Sequence, residues 1–153
     1  GTLYCETWRA TDGDATGAPA GTAMIGCYAE TLGSLSRFHR LTRDEVWHAY
    51  AGDPFVLHLL HEDGRTSNVV MGTDPLAGQQ VQVVVPAGTW QAGRLVPGGQ
   101  HALFGCTMAP GFTPDCFEAG RVDDLTARYP HAAAIIARLG VTGGETRLPD
   151  ALV

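Results

Sequence analysis

SRFHRLTRDEVWHAYAGDP, running from Ser36 to Pro54, decides how this chain is read. Side chains alternate across a strand, so Glu45, Trp47 and Ala49 share one face while Val46, His48 and Tyr50 share the other. Glu45 and His48 are therefore not neighbours. The Thr42-Arg43-Asp44 turn breaks the count to the preceding strand, Phe38 to Leu41, and hairpin geometry there can bring His39 beside Glu45. Further on, VVVPAGTWQ at Val83 to Gln91 puts Gln91 just past the Pro86-Ala87-Gly88 turn, from which it can project into the same space.

Working outward, the chain is mostly short apolar runs between turn signals. Strands are predicted over Leu3 to Arg9, Ala23 to Thr31, Phe38 to Leu41, Glu45 to Ala51, Phe55 to His61, Thr66 to Met71, Gln80 to Val85 and His101 to Met108. Asp53-Pro54, Glu62-Asp63-Gly64, Asp74-Pro75 and Pro97-Gly98-Gly99 are the turns between them. Thr11 to Gly21 is a loop. Its Asp12, Asp14, Gly17 series is not a calcium loop, because Ala23 stands where the bidentate glutamate belongs. One helix is predicted, Val122 to Leu139, capped by Asp123 or Asp124, kinked or split by Pro130 and ended by Gly140. This order of elements implies an all-β closed or sandwiched antiparallel fold with a short C-terminal helical segment. The domain is expected over residues 1–140, with 141–153 a loose tail.

Composition narrows the function. A chain of 153 residues suits one domain, which at this size buries roughly 70% of its unfolded surface and needs no metal or disulfide to fold. The net charge is −6, and the ten basic residues are scattered singly. Nucleic acid is thereby disfavoured as a partner. All ten are arginine, so Schiff-base, P-loop and pyridoxal-phosphate chemistry through lysine is excluded. No apolar run approaches the roughly 20 residues that span a bilayer, and the expectation is a soluble cytoplasmic protein with no membrane partner. Cys5, Cys27, Cys106 and Cys116 form no CxxC pattern and read as reduced, mostly buried thiols.

The spacing of His39, Leu41, Glu45 and Gly52 resembles the first cupin motif, in which a histidine, a second histidine, a glutamate and a glycine fall at those intervals. Pro86, Gly88 and Gln91 resemble the second, a Pro-x-Gly turn followed three residues later by a histidine. The wider wording FHRLTRDEVWHAYAGDP, VVVPAGTWQA and LFGCTMAPGFTPDCFE is similar to a small single-domain cupin family, the fifth in domain classifications and formerly a domain of unknown function. The likeness runs from about Tyr4 to Leu139. It implies a double-stranded β-helix, the conical cupin jelly roll, usually paired as a homodimer and related in shape to the deoxysugar epimerases. It does not imply one reaction.

Two residues depart from the pattern, and they bear on the metal. A cupin metal sits among three imidazoles and a carboxylate that suit iron, manganese, nickel or zinc. Leu41 cannot ligate and Gln91 offers a neutral amide oxygen, so His39, Glu45 and Gln91 are a weak set. The reading favours no metal, with His39 and Glu45 as a hydrogen-bonded pair in the pocket. Beside Trp47, such a pair can give and take protons near neutral pH, with Gln91 as a polar anchor. That chemistry fits an isomerase, epimerase or dehydrating lyase acting on a small polar molecule, in keeping with a secondary-metabolite pathway. Trp47, Trp90, Gln91 and Arg37 are the ligand-binding candidates, although aromatic residues in a small barrel are more often core. A non-catalytic small-molecule binder and a metal-dependent cupin oxygenase are the alternatives. Cys106 as a catalytic thiol lacks a base nearby in sequence.

Overall fold

Alternation at Glu45 does what the sequence predicts. In the structure, a computed structural model describing residues 1–15, 17–144 and 146–148, Glu45 and Trp47 are buried between two sheets while His48 and Tyr50 lie outside. Five antiparallel strands form each sheet. The first consists of β1 (Leu3–Arg9), β2 (Thr22–Ala29), β4 (Glu45–Gly52), β7 (Gln82–Val85) and β9 (His101–Met108), in the order β1-β2-β9-β4-β7. The second holds β3 (Ser36–Leu41), β5 (Phe55–Leu60), β6 (Thr66–Met71), β8 (Trp90–Leu95) and β10 (Phe117–Ala119), in the order β10-β3-β8-β5-β6. From β2 onward consecutive strands cross between the sheets, except β5 and β6, which pair within one.

The core between the sheets is aromatic. Phe104 is its hub, with ring centroids 4.5 Å from Tyr28, 5.0 Å from Trp47 and 5.4 Å from Phe55. The opposite face of the second sheet carries Phe38, Leu60 and Trp90, and two short helices cover it with Leu125, Tyr129 and Ile136. These are α1 (Val122–Arg128) and α2 (Ala133–Leu139), separated by a 3-10 turn at Pro130–Ala132, where the proline has no N–H to continue the helix. Neither Asp123 nor Asp124 caps α1. Both fall within its first turn, and Arg121 occupies the cap position with no side-chain bond.

Strand β8 was not expected as a strand, and its burial explains why. It packs on the interior with one face and on the helices with the other, so nearly every residue from Trp90 to Leu95 is buried and no polar alternation marks it. The segment after Gly140 also differs from a loose tail. Val141 bridges Arg121, and the Ala119 N–H donates to the Thr146 carbonyl at 2.7 Å, so this stretch runs back beside β10. The remainder of the expected tail, 149–153, lies outside the described residues. Cys5 is exposed and Cys27 half-buried, so the burial expected of the thiols holds for Cys106 and Cys116.

The two motif glycines sit where only glycine is comfortable. Gly52 has φ +88° and Gly88 φ +81°. A Cβ on Gly52 would also collide with the His101 carbonyl, next to which the Asp53 carboxylate accepts the Gln100 N–H at 2.7 Å and the His101 N–H at 3.2 Å. Gly52→Ala is therefore expected to cost about 1–3 kcal/mol, read as a lower urea midpoint at unchanged slope. A midpoint equal to wild type would contradict it.

Candidate functional site

Both sheets contribute to one cavity of about 480 Å³ that opens beside β1 and β10. Glu45 and Trp47 enter from β4, with Cys106 directly opposite Trp47 on the neighbouring β9. From the other sheet comes β3, which carries His39. Gln91 is the cross-strand partner of His39 in the β3–β8 register.

Three of these side chains lock together across the sheets. Glu45 Oε2 accepts the Gln91 Nε2–H at 2.8 Å and the Trp47 Nε1–H at 3.1 Å, while the same indole N–H reaches Gln91 Oε1 at 2.8 Å. Glu45 is 8% exposed and Gln91 1%. Burial, and then the nearby Glu45 carboxylate, push the Cys106 thiol well up. Its thiol form is thereby favoured, which makes Cys106 a poor nucleophile.

His39 stands apart from this lock. Its Nδ1 lies 2.8 Å from the Arg37 carbonyl, which can only accept, so Nδ1 carries the hydrogen and Nε2 is left bare in the neutral ring. The ring stacks on Phe117 at 5.4 Å. The expected hydrogen-bonded pair of His39 and Glu45 is not formed. Gln91, lying beside His39 on the same sheet, supplies the donor that Glu45 takes.

The other candidates divide. Trp47 lines the cavity but is 2% exposed, most of its ring being spent on the core. Arg37 lines the cavity and is exposed, and its guanidinium donates to the Gly140 carbonyl at 3.2 Å. Trp90 is placed elsewhere. One residue from the inward-facing Gln91, it points to the helical side, under the Arg40 guanidinium at 4.7 Å. Gln91 is a structural link rather than a group free for a ligand. Ser36, Met24 and Phe112 line the cavity and were missed. For Ser36 the cause is a bulge between Ser36 and His39, which turns both inward despite their odd separation.

The remaining histidines lie away from the cavity. His48 meets Thr107 Oγ1 at 3.0 Å on the outer face of the first sheet. His58 Nδ1 meets Asn68 Oδ1 at 2.7 Å. Burial, and then the Arg94 and Arg138 cations, hold the His58 ring below the usual imidazole range. The unfolded chain therefore binds this proton more readily, so His58 stabilises the fold above the ordinary imidazole pKa. That contribution is lost as pH falls from about 6.5 toward the depressed folded value. His58→Gln is expected to flatten the fall in unfolding free energy over that window, and an unchanged slope would contradict it.

A metal does not suit these residues. Among the described residues, no three His, Cys, Asp or Glu side chains come together as a ligand set. Gln91 spends its oxygen on Trp47 and Glu45 spends Oε2 on two N–H donors, while Leu41 stands at the second histidine position.

Two five-stranded antiparallel sheets around an inner cavity, with this site on facing strands, define a cupin jelly roll. The chain belongs to the cupin superfamily: the family described as Cupin superfamily (DUF985) matches residues 1–120. It is similar to a protein of Shewanella oneidensis of known structure, at 28% identity and TM-score 0.85, over 94% of this chain and 89% of that one. A hypothetical protein from Leishmania major is also 28% identical, with TM-score 0.78 over 90% of this chain and 88% of that one. A cupin 2 domain-containing protein from Halorhodospira halophila shares the fold at 18% identity and TM-score 0.56, over 94% and 86% of the two chains. No curated protein matches the chain. No helix among the described residues is long and apolar enough to cross a membrane.

Proposed function

We propose that this chain is a small-molecule isomerase, epimerase or dehydrating lyase that works by general acid–base chemistry in the inter-sheet cavity. One observation supports this reading above the others: Glu45 and His39 line the same cavity from different sheets, each with acceptor capacity left over. Both N–H donors on Glu45 go to Oε2, so Oε1 takes neither of them. With Nδ1–H given to the Arg37 carbonyl, the neutral form of His39 offers Nε2. Two such groups on different walls allow a proton to be removed on one side of a bound molecule and returned on another. Trp47 and Gln91 act as positioning residues by fixing the carboxylate. The cavity volume lies within the roughly 300–1,000 Å³ usual for small-ligand sites.

The test is proton exchange. In D2O, wild-type protein incubated with small hydroxyketones should introduce deuterium at the carbon beside the carbonyl, followed by NMR. Neither exchange nor product across such a set would sink the acid–base reading and favour a binding module, for which ligand-induced thermal shifts are the readout.

We also propose a homodimer. The outer face of the first sheet exposes Leu3, Ile25, Tyr50, Val84 and Leu103, an apolar surface of the kind that pairs with a second copy. Sedimentation should give twice the chain mass, and Ile25→Glu should return the monomer; a wild-type monomer at micromolar concentration would contradict this.

A further inference from the structure

The hydrogen-bond donors around Glu45 are committed to the protein. The Trp47 indole N–H is shared between Glu45 and Gln91, and Gln91, 1% exposed and outside the cavity lining, gives one Nε2 hydrogen to Glu45. His39 Nδ1–H goes to the Arg37 carbonyl. Ser36 belongs to a chain of hydroxyls. Thr2 Oγ1 lies 3.2 Å from the Leu35 carbonyl and 2.8 Å from Ser36 Oγ, which in turn lies 2.6 Å from the Tyr28 hydroxyl, so these hydroxyls are engaged with one another and with the backbone.

What remains for a guest at this end is led by two acceptors, Glu45 Oε1 and His39 Nε2. Thr22 keeps its hydroxyl hydrogen, but on the Met108 side, where it accepts the Phe112 N–H at 2.9 Å. The cations of the lining, the Gly1 α-ammonium, Arg37 and Arg147, are all exposed. A carboxylate or phosphate pushed to the inner end would therefore meet acceptors only and be left unpaired.

We propose that the cavity binds its small molecule through a protonated amine seated against Glu45, with an apolar body lying against Met24, Met108 and Phe112. An ammonium brings three N–H donors and a positive charge, and the acceptor set with its carboxylate meets both. The net charge of −6 favours the approach of a cation. This assignment rests on the cavity being the functional site, and not on the reaction proposed there.

Phenethylamine, 2-phenylethanol and phenylacetate have the same apolar body and differ in the head group. Calorimetric titration of the whole protein at pH 7 should show the amine binding at least about tenfold tighter than the alcohol. Phenylacetate should not saturate. Glu45→Gln, checked for folding by circular dichroism, should bring the amine down to the level of the alcohol. The wild-type series stands by itself if that variant does not fold. Phenylacetate binding as tightly as the amine, no binding by any of the three, or an amine preference that survives Glu45→Gln would each overturn the assignment. If Glu45→Gln stops deuterium exchange yet keeps the amine preference, the amine assignment falls and the acid–base reading stands. If the preference follows Glu45 and nothing is turned over, the assignment stands and the acid–base reading falls.

Discussion

Glu45→Gln should slow deuterium exchange by about 10²–10⁴-fold while leaving the protein folded. The two expectations have separate causes. Exchange needs a carboxylate that can accept and return a proton, and an amide does neither. Folding needs an acceptor where Oε2 now takes the Gln91 and Trp47 N–H groups, at 2.8 and 3.1 Å, and the amide oxygen can fill that place. Glu45→Ala separates them. It removes the acceptor outright and orphans the buried Gln91 Nε2–H, while the Trp47 N–H keeps Gln91 Oε1, at a cost of about 1–3 kcal/mol. Exchange rates by NMR and urea midpoints measured on both variants decide the matter. A Glu45→Gln protein with the wild-type exchange rate would remove Glu45 from the chemistry.

The largest effect on stability is expected from Phe104→Ala, about 3–5 kcal/mol. Phe104 is fully buried and touches three other aromatic rings, so truncation leaves a hole that the surrounding sheets cannot close. Gly26, its cross-strand partner, is small for the same reason: a Cβ there would run into the Phe104 ring. The damage should reach the site as well, because the Trp47 ring stacked on Phe104 carries the indole N–H that holds Glu45. Urea denaturation should show the loss as a lower midpoint. A change below about 1 kcal/mol would mean that the core repacks around the gap.

Much of the fold was legible because strand period and turn chemistry are local. The alternation from Glu45 to Tyr50 separated inside from outside correctly, and Pro130 divided the helical segment as a residue without an N–H must. Legibility stopped where burial came from two directions. Strand β8 is covered on both faces and so lost the polar alternation that marks a strand. The same parity sent Trp90 and Gln91 to opposite sides of one sheet, which their shared place in the motif concealed.

The candidate site was legible in part of its membership and not in its bonds. His39 and Glu45 both reach the cavity, as the motif spacing implied. Their pairing depended on which donor lay nearest the carboxylate, and that was set by the register of β3 against β8 and by the approach of the two sheets. Gln91, expected as a polar anchor for a ligand, was spent on Glu45 and Trp47.

By itself, the sequence determined the residue types, the strand alternation, the turn glycines and the cupin spacing, since each rests on neighbours along the chain. Only the tertiary structure decided that Glu45 bonds to Gln91 and Trp47, that His39 is left with a bare Nε2, and that the inner cavity offers acceptors. Those facts follow from contacts between strands far apart in the chain, such as Glu45 and Gln91 on facing sheets, whose donors and acceptors can be counted only once the sheets are packed.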